Sequence, residues 1–425
     1  MKYLAVLGRQ VGISLAELEA LYGEVCLVGR GLAEFEMADE PDIARLGGSL
    51  KLARELEGKV EDFLLELAPG HKLVIGVSDY SKRARRAEAW REGLRLKKNL
   101  TKAGRSVRIL SNNEATLSTA TVYHNGLGRK TGRVELLRVD GKWYVGVGVQ
   151  NIEAYARRDQ ARPARDAKVG MLPPKLAQIL INLCGPLPKG ARVLDPFCGT
   201  GVVLQEAWLM GYKPYGSDLN EKMVKYSRKN MEWLAKSQRN AVVDKRNLTE
   251  FSEDMYGSAK LNKDMCGSAK LNKSGHDTGA TEGERVAGLL TFHVKSDIIE
   301  GDACNLIWGK QIDAVACETY LGRPMSKAPT LVALREEKQR CKDIILGFLR
   351  NILPQINSGT PLCLGVPAWL KSDEDNSEYS RLNILDEIDQ MGYNVIKFKS
   401  VRQQDLLYYR DGQVVAREII VLRKK

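Results

Sequence analysis

A strand, a glycine turn, a helix and a second strand follow one another between residues 191 and 218. The first strand ends on Asp195 and the second on Asp218. Between them, Gly199 and Gly201 permit a sharp turn and the close approach of a ligand. Free amides at a helix start bind anions, and a carboxylate at the end of the second strand suits ribose hydroxyls. The stretch therefore predicts a site for a ligand that carries a ribose.

The run Asp195-Pro-Phe-Cys-Gly-Thr-Gly201 resembles motif I of class I S-adenosylmethionine (AdoMet) methyltransferases that act on nucleic acids. The spacing differs from the Gly-x-Gly-x-x-Gly of dinucleotide-binding proteins, and the alternative is a tight turn in another α/β protein. The resemblance implies an α/β fold, a Rossmann-like seven-stranded sheet, and AdoMet as cofactor. It implies that the glycines face the methionine end, Asp218 the ribose and Asp302 the adenine, although Asp302 also suits a helix cap. The cofactor contacts that follow are Asp195, Phe197, Cys198, Gly199, Gly201, Asp218, Leu219, Asp302 and Ala303.

The segment after the fourth strand reads Ala316-Cys-Glu-Thr-Tyr-Leu-Gly322. Enzymes that methylate exocyclic amines carry Asp/Asn-Pro-Pro-Tyr/Phe here, where the first residue accepts hydrogen bonds from the amine and the aromatic ring stacks on the base. If Tyr320 fills the aromatic place, Cys317 stands where the acid belongs; if Glu318 is the acid, Leu321 stands at the aromatic place. We expect Glu318 to accept the amine and Tyr320 to stack on or wall the base. The alternative is a degenerate site in which Glu318 only caps a turn.

The composition restricts the class of protein. A chain of 425 residues with 44% hydrophobic and 28% charged residues suits two or three soluble globular domains. No run reaches membrane-span length and no signal-peptide pattern is present, so we expect a cytoplasmic protein without membrane contact. The eight cysteines form no Cys-x-x-Cys pair and only four histidines occur, which argues against a structural zinc site and for a reducing cytoplasm. The net charge of +12 favours a polyanionic partner.

Residues 1–58 are predicted to form a ferredoxin-like α+β unit. We expect a strand over 2–8, a helix over 14–22 with Glu17 in a capping box, one or two strands within 25–35, and a helix over 42–56. The start of this unit resembles the N-terminal unit of THUMP-containing tRNA methyltransferases.

Residues 59–150 are predicted to form a second unit, with a basic helix over 81–100 that has Ala87, Trp90 and Leu94 on its apolar face. The order of its elements resembles a THUMP domain, an RNA-binding module of tRNA-modifying enzymes. Residues 151–170 are predicted to be an extended basic linker close to RNA. For the basic helix, contact with RNA phosphates is favoured over a face that is merely solvated, because its basic residues far outnumber its acidic residues. The predicted RNA contacts are Arg83, Arg85, Arg86, Arg91 and Arg95 in the helix and Arg157, Arg158, Arg162 and Arg165 in the linker.

Residues 171–425 are predicted to form the methyltransferase domain, beginning with a helix at Pro173 and Pro174. The periodicity fails from 236 to 288, which contains a tandem decapeptide at 254–263 and 264–273. We interpret 236–288 as a flexible surface insertion. Strands near 312–316, 361–366, 394–399 and 414–422, with helices near 327–353 and 382–391, complete the expected sheet.

Together these resemblances point to the THUMP-type tRNA (guanine-N2-)-methyltransferases of the guanosine-10 type. They imply an AdoMet-dependent enzyme that methylates a guanine exocyclic amine in tRNA and requires no metal. A small zinc-binding activator protein assists the eukaryotic branch and the archaeal branch acts alone; both remain open. The rivals are a DNA amino-methyltransferase, against which the N-terminal basic units argue, and a non-catalytic AdoMet- and RNA-binding protein.

Overall fold

The computed structural model describes residues 1–111, 113–166, 172–255, 297–371 and 378–425, with the backbone alone over 239–255. The predicted insertion beyond Met255, with nearly all of the tandem decapeptide, lies outside these residues, as does the end of the predicted linker. Within the described ranges, no helix combines the length and apolar character needed to cross a membrane.

The N-terminal part of the chain forms one eight-stranded sheet in the order β2-β3-β1-β4-β8-β7-β5-β6. The strands are β1 Lys2–Leu7, β2 Val25–Gly29, β3 Leu32–Glu36, β4 Ser49–Glu55, β5 Leu73–Asp79, β6 Val107–Ile109, β7 Arg133–Val139 and β8 Lys142–Val149. The helices are α1 Val11–Tyr22, α2 Val60–Glu66, α3 Arg86–Lys102, α4 Thr119–Asn125 and α5 Ile152–Gln160.

The first four strands have the ferredoxin-like order, with β1 between β3 and β4 and all neighbours antiparallel. A 3₁₀ turn, Ile43–Arg45, stands where the second helix of that unit would be. β4 pairs with β8 from Lys51 to Glu55, so the two predicted N-terminal units share one continuous sheet. The helix expected over 42–56 is therefore wrong for most of its length, because β4 pairs with β1 on one side and with β8 on the other and the consecutive residues 51–53 are buried.

The C-terminal part forms a second sheet whose main path is β11-β10-β9-β12-β13-β17-β15, with β14 and β16 at its margins. The strands are β9 Arg192–Asp195, β10 Lys213–Asp218, β11 Ile298–Glu300, β12 Ala314–Glu318, β13 Pro361–Leu370, β14 Tyr379–Ser380, β15 Tyr393–Val395, β16 Leu407–Tyr408 and β17 Val415–Lys424. The helices are α6 Pro174–Asn182, α7 Val202–Leu209, α8 Glu221–Met255, α9 Leu331–Ile352 and α10 Leu385–Gln390.

This sheet confirms the predicted class I methyltransferase architecture. β9 to β13 run parallel, and β17 is antiparallel to both β13 and β15. One face packs on α6 and α7 through a buried apolar cluster, and the other packs on α9 through a second cluster. The carboxyl ends of β9, β10, β11 and β12 consequently lie at one edge, and that edge carries the predicted site residues.

Three helix predictions need correction. Ser14 lies inside α1 instead of capping it, and its hydroxyl donates to the carbonyls of Gln10 and Gly48 at 2.9 Å. The buried face of α3 is Ala89, Gly93, Leu96 and Leu100, whereas Trp90 and Leu94 are 38% and 42% exposed. Gly93 decides that face because any side chain there would meet Ile109 at 2.9 Å. α8 continues from the expected end near Leu234 to Met255, since no glycine or proline interrupts it.

Candidate active site

The glycine turn after β9 is tied to the end of β10. The Gly199 amide donates to Asp218 Oδ2 at 2.8 Å, and the Asn220 amide donates to Oδ1 at 2.9 Å. Burial raises the pKa of the Asp218 carboxyl above its usual range, and the two amides oppose that shift. Each carboxylate oxygen keeps a further lone pair for a hydroxyl donor. The neighbouring Leu219 is 70% exposed, so an apolar surface adjoins this acceptor.

Gly201 begins α7 in the left-handed region, with φ of 81°. A side chain there would come within 2.8 Å of Ser227 Oγ on α8. Ser227 is fully buried, and its hydroxyl donates to the Gly199 carbonyl at 2.9 Å. The turn is therefore held from behind by α8 and is open only on its outer side.

The other residues of the motif divide between the site and the core. Asp195 is buried, and its Oδ1 accepts from the Phe197 amide at 3.1 Å. Burial raises the pKa of Asp195, and the negative charges of Asp218 and Glu318 add to this effect. Cys198 directs its buried thiol into the cluster around α7 and α8, so only its backbone remains for a ligand. Phe197 packs edge-on against Phe348 of α9 with ring centroids 5.4 Å apart.

Asp302 follows β11 at the same edge. Its Oδ1 accepts from the Cys304 amide at 2.9 Å, and its carbonyl accepts from the Asn305 and Leu306 amides. Ala303 is buried in the cluster under α9. Asp302 thus caps a turn, as the alternative interpretation expected, and one carboxylate oxygen remains for an adenine amine.

Glu318 ends β12 and forms an ion pair that the sequence did not predict. Arg417 on β17 donates through Nε to Glu318 Oε1 at 2.7 Å, and the two side chains are 6% and 15% exposed. Both lie on the α6 face, because Ala314 and Ala316 of β12 and Ile419 of β17 belong to the α6 cluster and alternate residues share a face. Arg417 neutralises Glu318 through one oxygen and leaves Oε2 for another donor.

The structure of the loop after β12 distinguishes between Cys317 and Glu318 as the residue at the place of the acid. Cys317 is fully buried against α9, and burial raises the pKa of its thiol, so it cannot stand for the missing acid. Tyr320 is half-buried and packs on the same cluster as Phe197. Glu337 of α9 fixes the loop by accepting from the amide and Nε of Arg323, at 2.9 and 3.0 Å. Of the two candidate acids, only Glu318 keeps a carboxylate at the end of β12, and Tyr320 lies on the α9 side of the sheet.

The predicted linker is not extended. Residues 152–160 form α5, and the following residues are fixed to α8, where Ala164 exchanges two hydrogen bonds with buried Asn230. Asn230 also donates to the Thr200 carbonyl at 2.9 Å, so the segment supports the glycine turn. The extended prediction failed because basic residues that look solvated in sequence find carboxylates in the tertiary structure.

Two of the four predicted linker arginines accordingly point inward. Arg158 donates to both oxygens of buried Glu206, at 2.6 and 3.1 Å. The Arg162 side chain is fully buried, 3.6 Å from Asp159. Arg157 and Arg165 are exposed. Arg158 and Arg162 therefore stabilise the fold and do not present their charge to RNA.

The predicted helix arginines remain on the surface. Arg83, Arg85, Arg86 and Arg91 are exposed around Trp90 and Leu94. Arg95 is also exposed, but it donates to Glu92 and Glu61, and its hydrogen bonds to Glu92 raise its pKa. This surface, which we call the α3 surface, combines exposed arginine side chains with an exposed indole ring.

No three His, Cys, Asp or Glu side chains converge as a metal site in the described parts of the chain. Sequence reasoning missed Arg417, Ser227 and Asn230, which carry no motif. Arg417 and Glu418 are adjacent charges within the otherwise apolar part of β17. They offered a weak signal, since a buried strand seldom carries two adjacent charges without partners.

A comparison with known protein families finds a match to one part of the chain. Residues 162–337 match the family described as RMKL-like, methyltransferase domain. The match begins at Arg162, which is consistent with the attachment of that segment to α8.

Curated relatives match over shorter stretches. The tRNA (guanine(10)-N2)-dimethyltransferase of Methanothermobacter thermautotrophicus is 45% identical over 76 residues, which are 17% of this chain and 22% of the relative. The enzyme of the same name from Pyrococcus abyssi is 36% identical over 95 residues, which are 22% of this chain and 27% of the relative. The matched stretches thus cover about a quarter of these relatives. Among solved structures, TrmN from Thermus thermophilus aligns over 100% of both chains with 18% identity and a TM-score of 0.44.

Proposed function

We propose that this protein is an AdoMet-dependent methyltransferase that modifies the exocyclic N2 of a guanosine in tRNA, and the match of residues 162–337 to the RMKL-like methyltransferase domain family supports the reaction class. The observation that carries the proposal is the joint placement of Asp218, the Gly199–Gly201 turn and Glu318 at one edge of a class I sheet. The names of the curated relatives support guanosine-10 as the position.

The chain fits the cofactor at the turn. Gly201 lets the turn pack directly on Ser227 of α8 and so away from the cofactor side, and Asp218 offers carboxylate lone pairs to ribose hydroxyls. The exposed Leu219 would pack on the adenine, whose amine Asp302 would accept. When bound, AdoMet supplies an activated methyl group.

Glu318 then orients the acceptor. Its Oε2 accepts an N–H of the guanine amine and directs the nitrogen lone pair toward the methyl donor, while Arg417 holds Oε1. The amine would lose one proton on taking up the methyl group, whose bond to sulfur breaks to leave the thioether S-adenosylhomocysteine, and the same carboxylate oxygen would receive that proton. Tyr320 would wall the base on the α9 side.

The α3 surface supports RNA as the substrate. Exposed arginines beside an exposed indole suit phosphate contact together with base stacking. In this proposal residues 59–150 act as a THUMP domain, and the target base is splayed from its stack to reach Glu318.

The test is methyl transfer from labelled AdoMet to an unmodified tRNA transcript, followed by nucleoside analysis. N2-methylguanosine or N2,N2-dimethylguanosine, mapped to guanosine-10, is the expected product. Label in DNA, or on another base, would contradict the proposal. Absence of transfer with both ligands bound would identify a non-catalytic binding protein or the need for an activator protein, and addition of a cell extract separates these two cases.

A further inference from the structure

A cleft of 570 Å³ opens where the N-terminal sheet meets the catalytic domain. Its walls come from the loop after β1, from α5 and the start of α6, and from the hairpin of β16. We call it the junction cleft and define it by Arg9, Gln10, Tyr155, Lys175, Tyr409 and Arg410. None of these residues belongs to the cofactor site or to the α3 surface.

The hairpin and the N-terminal loop are held together across the cleft. Gln10 Nε2 donates to the Tyr409 carbonyl at 2.7 Å, a bond that does not depend on the tyrosine ring. The Tyr409 ring leans on Tyr379 with centroids 5.5 Å apart. The cleft is therefore a preformed opening between two parts of the chain.

The lining combines cations with aromatic rings. Arg9 and Arg410 are exposed at the mouth, and Lys175 lies deeper, with Nζ 5.2 Å from the centroid of the Tyr155 ring. The acidic groups nearby are Asp159, which faces Arg162, and Asp411, which lies 3.5 Å from Arg9 and is 88% exposed. Positive charge and stacking surface in one opening suit an unpaired nucleic acid strand more than a lipid or an apolar ligand.

The cleft also lies next to the acceptor. Tyr408 pairs with Arg417 across the β16–β17 ladder, and directly opposed residues share a face of the sheet. Tyr408 packs on the α6 cluster, the face on which Glu318 meets Arg417. An RNA strand bound in the cleft would thus pass Tyr408, which pairs with Arg417, the ion-pair partner of the proposed acceptor Glu318.

We propose that the junction cleft binds the unpaired ribonucleotides that flank the target base, with Arg9 and Arg410 on phosphates and Tyr409 stacked on a base. This inference rests on the proposed function for the identity of the strand. It assigns an RNA contact to the boundary between the N-terminal sheet and the second sheet.

The experiment measures binding of a labelled unpaired oligoribonucleotide by fluorescence anisotropy. The proteins are the wild type, Arg9→Glu/Arg410→Glu, Tyr409→Ala and Tyr409→Phe. The matched control is Arg30→Glu, an exposed arginine in the β2–β3 turn, away from the cleft. Thermal unfolding establishes that each variant is folded, and AdoMet affinity establishes that the cofactor site is intact.

We expect the double charge reversal to weaken binding by about 10-fold or more and to reduce the log–log salt slope by about 1.4, since each phosphate contact to a single strand contributes about 0.7. Tyr409→Ala should weaken binding by at least about 5-fold and Tyr409→Phe by less than about 2-fold, because phenylalanine keeps the stacking face. Arg30→Glu should resemble the wild type.

Equal losses in Arg30→Glu and in the cleft variants would overturn the inference, as would equal competition by polyglutamate or by a single-stranded DNA of the same sequence. The KM for tRNA separates this failure from that of the proposed function. If the cleft variants transfer methyl groups with an unchanged KM for tRNA, the inference about the cleft is wrong and the proposed function stands. If RNA binding depends on the cleft but no methyl group is transferred, the proposed function is wrong and the inference about the cleft stands.

Discussion

At the scale of single residues, the proposed acceptor position at Glu318 is built differently from the motif that the sequence resembles. The segment lacks the prolines that would stiffen the loop after the fourth strand. In their place, Glu337 holds Arg323 of that loop, and Arg417 of β17 reaches across β13 to hold Glu318. Side-chain ion pairs thus perform the positioning that backbone rigidity performs elsewhere.

Glu318→Gln is the most direct test of the acceptor. The amide keeps an oxygen for Arg417 and nearly the same volume, but it loses the carboxylate that accepts and removes the amine proton. We expect kcat to fall by about 100-fold or more, with AdoMet and tRNA affinities within about 2-fold of the wild type. Rapid-quench methyl transfer and equilibrium binding measure the two quantities.

The matched control is Glu336→Gln, an exposed glutamate on α9. Wild-type turnover in the Glu318 variant would remove Glu318 from the mechanism. A loss of tRNA affinity that matches the loss of rate would assign it to substrate binding instead.

At the scale of elements, the cofactor turn depends on the contact between the start of α7 and α8. Two glycines flank α7 with nearly the same backbone, Gly201 at φ of 81° and Gly211 at φ of 85°. Only Gly201 has a neighbour, Ser227, where a side chain would stand. Substituting each of these two glycines therefore distinguishes the effect of backbone strain, which both positions share, from the effect of steric crowding, which only Gly201 has.

Gly201→Ala should weaken AdoMet binding by about 10-fold or more, because the methyl group pushes the turn away from Ser227 and toward the cofactor. Gly211→Ala incurs only the left-handed strain of about 1–2 kcal/mol and should keep the wild-type affinity. Calorimetric titration with AdoMet compares the two. Equal affinities in both variants would show that the turn does not contact the cofactor.

A second element contact joins the domains. Glu17 of α1 is buried and accepts from the Gly47 and Gly48 amides and from Asn182 of α6, at 2.9, 2.8 and 2.7 Å. Burial raises the pKa of Glu17 from 4.5 to about 7. A proton is therefore bound more tightly in the folded chain than in the unfolded chain.

The free energy of unfolding should fall as the pH rises from about 4.5 to about 7, by at most about 3 kcal/mol, because a carboxyl with a raised pKa stabilises the fold below its unfolded pKa and ceases to do so above its folded pKa. In Glu17→Gln this dependence should disappear, and stability should drop by about 1–3 kcal/mol because its amide N–H₂ faces a backbone donor. Urea unfolding at several pH values measures both effects. An unchanged pH profile in Glu17→Gln, with Glu24→Gln as the exposed control, would contradict the assignment.

At the scale of the whole molecule, the excess of basic residues divides into charges that face solvent and charges that hold the fold. Arg83 and Arg85 are exposed, whereas Arg158 is 14% exposed and paired with Glu206. Net charge alone therefore overstates the surface that RNA can meet.

Arg83→Glu/Arg85→Glu should lower tRNA affinity by about 10-fold or more at 0.1 M salt and reduce the log–log salt slope by about 2, with the melting temperature unchanged. Arg158→Gln should instead lower stability by about 2 kcal/mol or more, since Glu206 is left as an unpaired buried charge, and folded protein should keep its tRNA affinity. Filter binding and thermal unfolding give both quantities. If Arg158→Gln lowered the tRNA affinity without lowering the stability, Arg158 would be an RNA contact and not a residue that stabilises the fold.

Local patterns in the sequence were enough to predict the second sheet and the edge that carries its acids. Short apolar strands, the glycine turn and terminal acids are such patterns, and the order of the parallel strands was implied by the family that these patterns resemble. The sequence also placed Asp218, Asp302 and Glu318 at the ends of successive strands, because each position needs only the end of its own element.

Tertiary structure decided which charges have partners and which faces are covered. Arg417 lies 99 residues from Glu318 in the chain, and Arg158 lies 48 residues from Glu206. The face of α3 depended on the close approach of Gly93 to Ile109, and the fate of residues 42–56 depended on strand pairing with β1 and β8. Such contacts join residues that no local periodicity relates, so burial and pairing emerge only when the whole chain is folded.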